Sequence, residues 1–182
     1  MIKFFIEPGY HVKYPERDYG NAGIDFFIPT HSESFVAAFK EKNLATNAVL
    51  CINEYRVDES KRSDFIRIEP HCGVNIPSGV RSRISANVAL EAQNKSGIAT
   101  KHGLVYGAST IDANYQGIIH ISLINTTDRP VELALGTKAV QFLPRLIDTS
   151  AVEVYDNITF EEFYQDFEFS NRGEGAFGST GV

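Results

Sequence analysis

STIDANYQG, residues 109–117, runs into IIHISLI, residues 118–124, and the reading of this stretch decides the fold. IIHISLI reads as a strand. Asp112 sits between apolar Ile111 and small Ala113, just ahead of it. A carboxylate held there can act as a general base if it reaches a water. A turn-capping Asp accounts for the same pattern. Tyr115 offers a flat wall to a ligand, or simple half-buried packing.

Outward from this point the chain reads as further short strands: IKFFIE (2–7), DFIRIEP (64–70), VALEA (88–92), VELAL (131–135), KAVQFL (138–143) and AVEVY (151–155). DFIRIEP alternates apolar and polar residues, as a half-buried strand does. Turn signals separate the runs: PSG at 77–79, DRP at 128–130, LG at 135–136. Many short strands between frequent turns predict an all-β sandwich or barrel. Two stretches predict short helices. SESFVAAFKEKN (32–43) places Phe35 and Phe39 on one face. TFEEFYQDF (159–167) opens with Thr159 and Glu162 at capping-box spacing. Its stripe of Phe160, Phe163, Tyr164 and Phe167 predicts core or interface packing.

The chain has 182 residues, enough for one domain with a real core. No apolar run approaches the roughly 20 residues of a membrane span. The N-terminus lacks a signal-peptide pattern, and a cytoplasmic location is expected. A net charge of −6 argues against nucleic-acid binding, which needs a basic surface. It leaves room for a small phosphorylated ligand held by local cations. The two cysteines, Cys51 and Cys72, form no CxxC, and both are expected to be structural, unbridged and without metal.

Three more fragments carry chemistry. NKSGIA (94–99) joins a cation to a Ser-Gly pair, which can meet a phosphate or be a simple turn. GTKAVQF (136–142) carries Gln141, whose amide needs partners in protein or ligand. RGEGAFGST (172–180) contains a dinucleotide-type GxGxxG, yet only four residues follow Gly178, leaving no room for the helix that motif requires.

Taken in order with AGIDFF (22–27), these stretches resemble the five motifs of the trimeric dUTPase family. The resemblance covers most of the chain outside 31–63, which reads as an insertion. It implies a jelly-roll-like β domain over 1–170 and a flexible C-terminal arm, 171–182, that closes as a lid. It implies a homotrimer with shared active sites, dUTP as substrate, and Mg²⁺ as cofactor. The implied reaction is hydrolysis of dUTP to dUMP and pyrophosphate. Asp112 matches the residue that activates water, and Tyr115 the ring that packs on deoxyribose. Lys95, Ser96, Gly97 and Gln141 match phosphate contacts. Tyr106, Gly107, Ala108, Thr110, Ile111 and His120 fall on the base-reading hairpin and the strand facing it. Asp25 matches a residue near Mg²⁺, reached through water, the ion being held mainly by the triphosphate. Arg172 would pair with the γ-phosphate and Phe177 stack on uracil. Gly178, Ser179 and Thr180 would complete the arm's contacts, with glycines that let backbone lie close over a ligand.

The chain departs from the family in three ways. Lys95 stands where Arg is usual and cannot make its bidentate fork. Ala176 replaces a glycine. The hairpin from His102 to Asp112 looks about two residues short, so backbone around Tyr106 to Ala108 is expected to read the base. The dCTP deaminases of the same superfamily are the nearest alternative, but Ser122 stands where their catalytic Glu is expected. A non-catalytic nucleotide- or partner-binding regulator is the other.

Overall fold

The computed structural model describes residues 1–57, 62–148, 154, 156 and 159–165. It divides into two units, Met1–Asp148 and Thr149–Val182. In the first, the chain runs β1 (Ile2–Ile6), β2 (Ile24–Phe27), α1 (Glu33–Lys42), β3 (Val49–Tyr55), β4 (Arg62–Ile68), β5 (Gly73–Pro77) and β6 (Val80–Ile84). It continues through β7 (Val88–Asn94), α2 (Ser96–His102), β8 (Leu104–Tyr106), β9 (Thr110–Ile111), β10 (His120–Asn125), β11 (Val131–Ala134) and β12 (Lys138–Leu146). All strand pairs between these elements are antiparallel. The sheet orders are β1-β6, β5-β10-β8, β11-β4-β3 and β2-β12-β7-β9. This is the all-β, jelly-roll-type architecture with few short helices that the sequence predicts.

The core explains the pattern. Ile66, Ile68, Ile76, Leu90, Leu104, Ile119, Ile121 and Phe142 are buried together with Phe26 and Phe35. Phe26 stacks edge-on against both Phe4 and Phe142, at 5.5 and 4.8 Å between ring centroids, an arrangement that suits aromatic quadrupoles. In β10 the alternation turns Ile121, Leu123 and Asn125 inward and leaves His120, Ser122 and Ile124 on the other face.

The 31–63 region is built into this core. Ser32 caps α1, its Oγ accepting from the Phe35 N–H at 3.3 Å. Phe35 and Phe39 bury the apolar face that their spacing predicts. At the helix end the Asn43 carboxamide grips Asn75 of β5 from both sides, donating to its carbonyl at 2.8 Å and accepting from its N–H at 2.9 Å. The region also supplies β3, which pairs with β4.

Two expectations change in detail. NKSGIA is not a simple turn: Ser96 begins α2, which ends on the left-handed Gly103. The 102–112 segment is not a paired hairpin. β8 pairs with β10, whereas β9 pairs with β7, so the segment crosses between sheets. The expected strand 151–155 lies outside the described residues except for Val154.

In the second unit, α3 spans Phe160–Phe163. Its capping box forms as predicted: Thr159 N–H donates to Glu162 Oε2 at 2.8 Å, and Glu162 N–H to Thr159 Oγ1 at 3.2 Å. Phe163 is 52% exposed and meets the Tyr164 ring edge-on. No described helix is long and apolar enough to cross a membrane.

Candidate active site

Asp112 leaves β9 at the mouth of a cavity of about 190 Å³. β9 is fixed to β7 by the pairs Leu90↔Ile111 and Glu91↔Thr110. A bond from Ala92 N–H to the Ser109 carbonyl at 2.7 Å anchors its approach. Asp112 itself is exposed. Its carbonyl accepts from the Tyr115 N–H at 3.1 Å, closing a turn. The Tyr115 hydroxyl then donates to the Ile118 carbonyl at 2.8 Å. The ring lies over Gly117, where a Cβ would stand 2.4 Å from the phenol oxygen; only glycine permits that approach. The turn therefore fixes Tyr115 in place.

Ala108, Thr110 and Ile111 line the same cavity, and His120 and Ser122 enter it from β10. Asn75, unsuspected from sequence, completes the wall. The signal for it is register: Ser122 pairs with Asn75 across β10 and β5. His120 Nε2 is buried without a hydrogen-bond partner. Burial, then the nearby Lys42 charge, hold the imidazole below its ordinary pKa, against the Ile118 backbone and Glu41. The neutral ring is thus favoured. Lys42 and Glu41 come from α1, so the insertion shapes the field in the cavity.

Tyr106 and Gly107 sit behind this wall. The Tyr106 N–H donates to Asn94 Oδ1 at 2.8 Å, and the Gly107 N–H to the Ser122 carbonyl at 2.9 Å. Asn94 ties the NKSGIA segment to the 102–112 segment.

A second group gathers around Asp25 in β2. Lys95 Nζ lies 2.6 Å from Asp25 Oδ1, and Lys138 Nζ 3.0 Å from Oδ2. Lys138 also reaches Glu16 Oε1 at 2.6 Å. Burial pushes the Asp25 carboxyl up, but the hydrogen bonds and charges of the two lysines outweigh it and leave the pKa lowered. Gln141 stands opposite Asp25 across β12 and β2, after a one-residue register shift between Lys138 and Val140. Ser96 and Gly97 open α2 directly after Lys95. The cavity beside Asp112 includes none of Lys95, Ser96, Gly97 or Gln141. Arg172, Phe177, Gly178, Ser179 and Thr180 lie outside the described residues.

Asp25 does not fit as a direct Mg²⁺ ligand, because each oxygen already faces an ammonium. Among the described residues no three of His, Cys, Asp or Glu cluster as a metal site. Cys51 and Cys72 are free, Cys51 buried and Cys72 half-buried. Burial pushes the Cys51 thiol up to about 11, which keeps it unreactive.

A β domain carrying these two polar groups defines a class, and comparison with known proteins gives the family. A sequence profile of dUTPases matches residues 61–181, and the chain belongs to the dUTPase family. The deoxyuridine 5'-triphosphate nucleotidohydrolase of Eremothecium gossypii is 35% identical over 107 residues, 58% of this chain and 59% of that protein. The Haemophilus ducreyi enzyme of the same name is 34% identical over 119 residues, covering 64% and 72%. The Oryza sativa one is 29% identical over 166 residues, covering 85% and 87%. The match thus spans about three fifths of the Eremothecium protein. Among solved structures, the Staphylococcus bacteriophage 80alpha dUTPase with dUpNHpp superposes with a TM-score of 0.66 at 18% identity, over 100% of this chain and 99% of that one. A point mutant of the dUTPase from phage phi11 of S. aureus, described with a structural Mg(II) ion, gives 0.59 at 17%, over 88% and 99%.

Proposed function

We propose that this chain hydrolyses dUTP to dUMP and pyrophosphate. The observation that carries the reading is the meeting of Asp112, Tyr115, Thr110 and His120 in one cavity of a dUTPase-family fold. Exposed Asp112 orients a water and takes its proton. The water oxygen forms a bond to the α-phosphorus, the bond to the bridging oxygen breaks, and pyrophosphate leaves. Tyr115, pinned by its own hydroxyl, packs on the deoxyribose and leaves no space for a 2′-hydroxyl. His120 Nε2 and the backbone near Ala108 face the polar edge of the base.

Lys95, Ser96, Gly97 and Gln141 take the phosphates in this reading. Lys95 does so as a point charge shared with Asp25. Their separation from the Asp112 cavity supports a homotrimer in which one chain supplies the base and another the phosphate contacts. The arm from 171 to 182 then closes as a lid: Arg172 on the γ-phosphate, Phe177 on uracil, and Gly178, Ser179 and Thr180 along the phosphates. Asp25, with an ammonium at each oxygen, would reach a Mg²⁺ ion only through water, and the ion, held mainly by the triphosphate, would supply charge neutralisation at the phosphates. The free cysteines fit a reducing cytoplasm.

The deciding experiment is pyrophosphate release from dUTP, UTP and dCTP, with ammonia release from dCTP measured alongside. Turnover of dUTP is expected to exceed that of the others by orders of magnitude, with no ammonia. Equal turnover of UTP would remove the role given to Tyr115.

A further inference from the structure

A cavity of about 330 Å³, which shares no lining residue with the Asp112 cavity, is lined by Arg56, Arg67, Lys101, His102, Arg129 and Glu132 among others. Four permanent cations face one carboxylate, in a chain whose net charge is −6. That carboxylate is already used. Glu132 Oε2 accepts the Val57 N–H at 2.8 Å and lies 4.0 Å from Arg56 Nε, while Oε1 lies 3.6 Å from Arg67 Nη1. Arg56 donates again to the Glu132 carbonyl at 2.8 Å, and Arg67 to Glu69 at 2.8 Å. The Glu132 side chain is only 9% exposed, so this is a frame inside the wall. Lys101 and Arg129 make no ion pair with any described residue. They add two charges that Glu132 does not balance.

The wall is built rather than draped. Lys101 and His102 end α2 on Gly103, whose φ of +64° suits glycine. A Cβ at Gly103 would stand 2.2 Å from Thr127 Cγ2. Thr126 bonds the Gly103 carbonyl through its N–H at 3.0 Å and its Oγ at 2.8 Å. Buried Asn125 donates to the Arg129 carbonyl at 2.8 Å, and Thr127 Oγ1 to the same oxygen at 2.9 Å. The turn that carries Arg129 is therefore fastened to the helix end that carries Lys101 and His102. Convergent cations held apart by such a frame repel one another unless an anion lies between them. Point charges and guanidinium forks together suit phosphoryl oxygens.

We propose that this cavity is a second anion site, taking a small polyphosphate such as pyrophosphate or the phosphate chain of a nucleotide. It goes beyond the hydrolytic site. It also lies at the opposite end of α2 from Lys95 and Ser96, a helix of seven residues.

The test is calorimetric titration of the full chain with inorganic pyrophosphate, tripolyphosphate and dUMP. Two classes of pyrophosphate site are expected. The variant Lys101→Glu/Arg129→Glu should lose one class and keep dUTP turnover, whereas Lys95→Ala should leave that class intact. The neutral pair Lys101→Gln/Arg129→Gln, safer for folding, should weaken the class roughly tenfold or more, as loss of charge-assisted bonds does. Within the class that the Lys101/Arg129 variants lose, tripolyphosphate binding with no dUMP binding would assign the site to the phosphate chain alone. Amide NMR gives a readout free of mutation: pyrophosphate should shift residues 101–103 and 126–132. The proposal is overturned if those amides stay still at saturation, or if the cavity variants bind as the wild type does. Neither readout depends on dUTP hydrolysis, so each can fail without the other.

Discussion

Asp112 stands exposed in the turn after β9, beside Tyr115 and the unpartnered nitrogen of His120, whereas Asp25 is buried in β2 with an ammonium at each oxygen. A general base must reach water and accept a proton near working pH. Asp112 has the access. Asp25 is buried with an ammonium at each oxygen, and its lysines hold its pKa low. What Asp25 does instead is place Lys95 and Lys138 where β2, β12 and α2 meet. Among the described residues one carboxylate is left unpaired and open to solvent; the other orders cations because it is paired twice.

The sharpest way to break this contrast is Asp112→Asn, which keeps shape and removes the proposed base. The expected loss in kcat is roughly 10²–10⁴-fold, with binding of a non-hydrolysable dUTP analogue retained by calorimetry. A near-normal rate would show that another group activates the water.

Asp25→Ala should act on stability before it acts on rate. Removing one partner of a buried pair leaves the others uncompensated. Lys95 and Lys138 keep 25% and 33% of their side-chain surface, so solvent screens part of that cost. About 1–3 kcal/mol is expected, read as a lower urea midpoint. The sign with pH follows from the lowered pKa. The contribution is present above the ordinary value of 3.8 and is lost as pH falls through the folded value. Wild type and variant should therefore converge in acid. A gap that persists there would mean the loss comes from packing, not charge.

How far the sequence shows this contrast depends on the range of each interaction. Local signals were legible. Phe35 and Phe39 predicted α1, Thr159 and Glu162 predicted α3, and alternation in DFIRIEP predicted β4. The motif order predicted the fold and the Asp112 group. β2 was not legible as a strand, because IDFF is buried at every position and shows no alternation. α2 was hidden by its length, seven residues with no side-chain cap. The Asp25–Lys95 pair joins residues 70 apart, and nothing in either segment announces the other. The 102–112 segment misled in another way. β8 and β9 look like two arms of a hairpin in sequence, but each finds a longer strand to pair with.

The smallest expected effect concerns His120, which sits between the two kinds of group: half-buried with its Nε2 enclosed, yet facing the Asp112 cavity. Its pKa lies below the ordinary 6.5, chiefly through burial and then Lys42, with the Ile118 backbone and Glu41 opposing. Asp112 and Tyr115 face the same cavity. As pH falls below 6.5 the unfolded chain takes its proton first, so folding stability declines until the folded imidazole also titrates. His120→Gln keeps a polar group without the titration. The wild type should therefore lose more of its urea midpoint between about pH 7 and pH 5 than this variant does. Nitrogen-15 NMR of the imidazole adds a check free of mutation: Nε2 should carry no proton at neutral pH, since the Ile118 backbone is the group that favours a proton on the ring, and Nε2 itself has no partner. In the proposed reading, an acceptor at that position would pair with the N3–H of uracil and meet a lone pair at N3 of cytosine. Parallel pH slopes in wild type and variant, together with a protonated Nε2, would make His120 a packing residue and leave base selection to the backbone near Ala108.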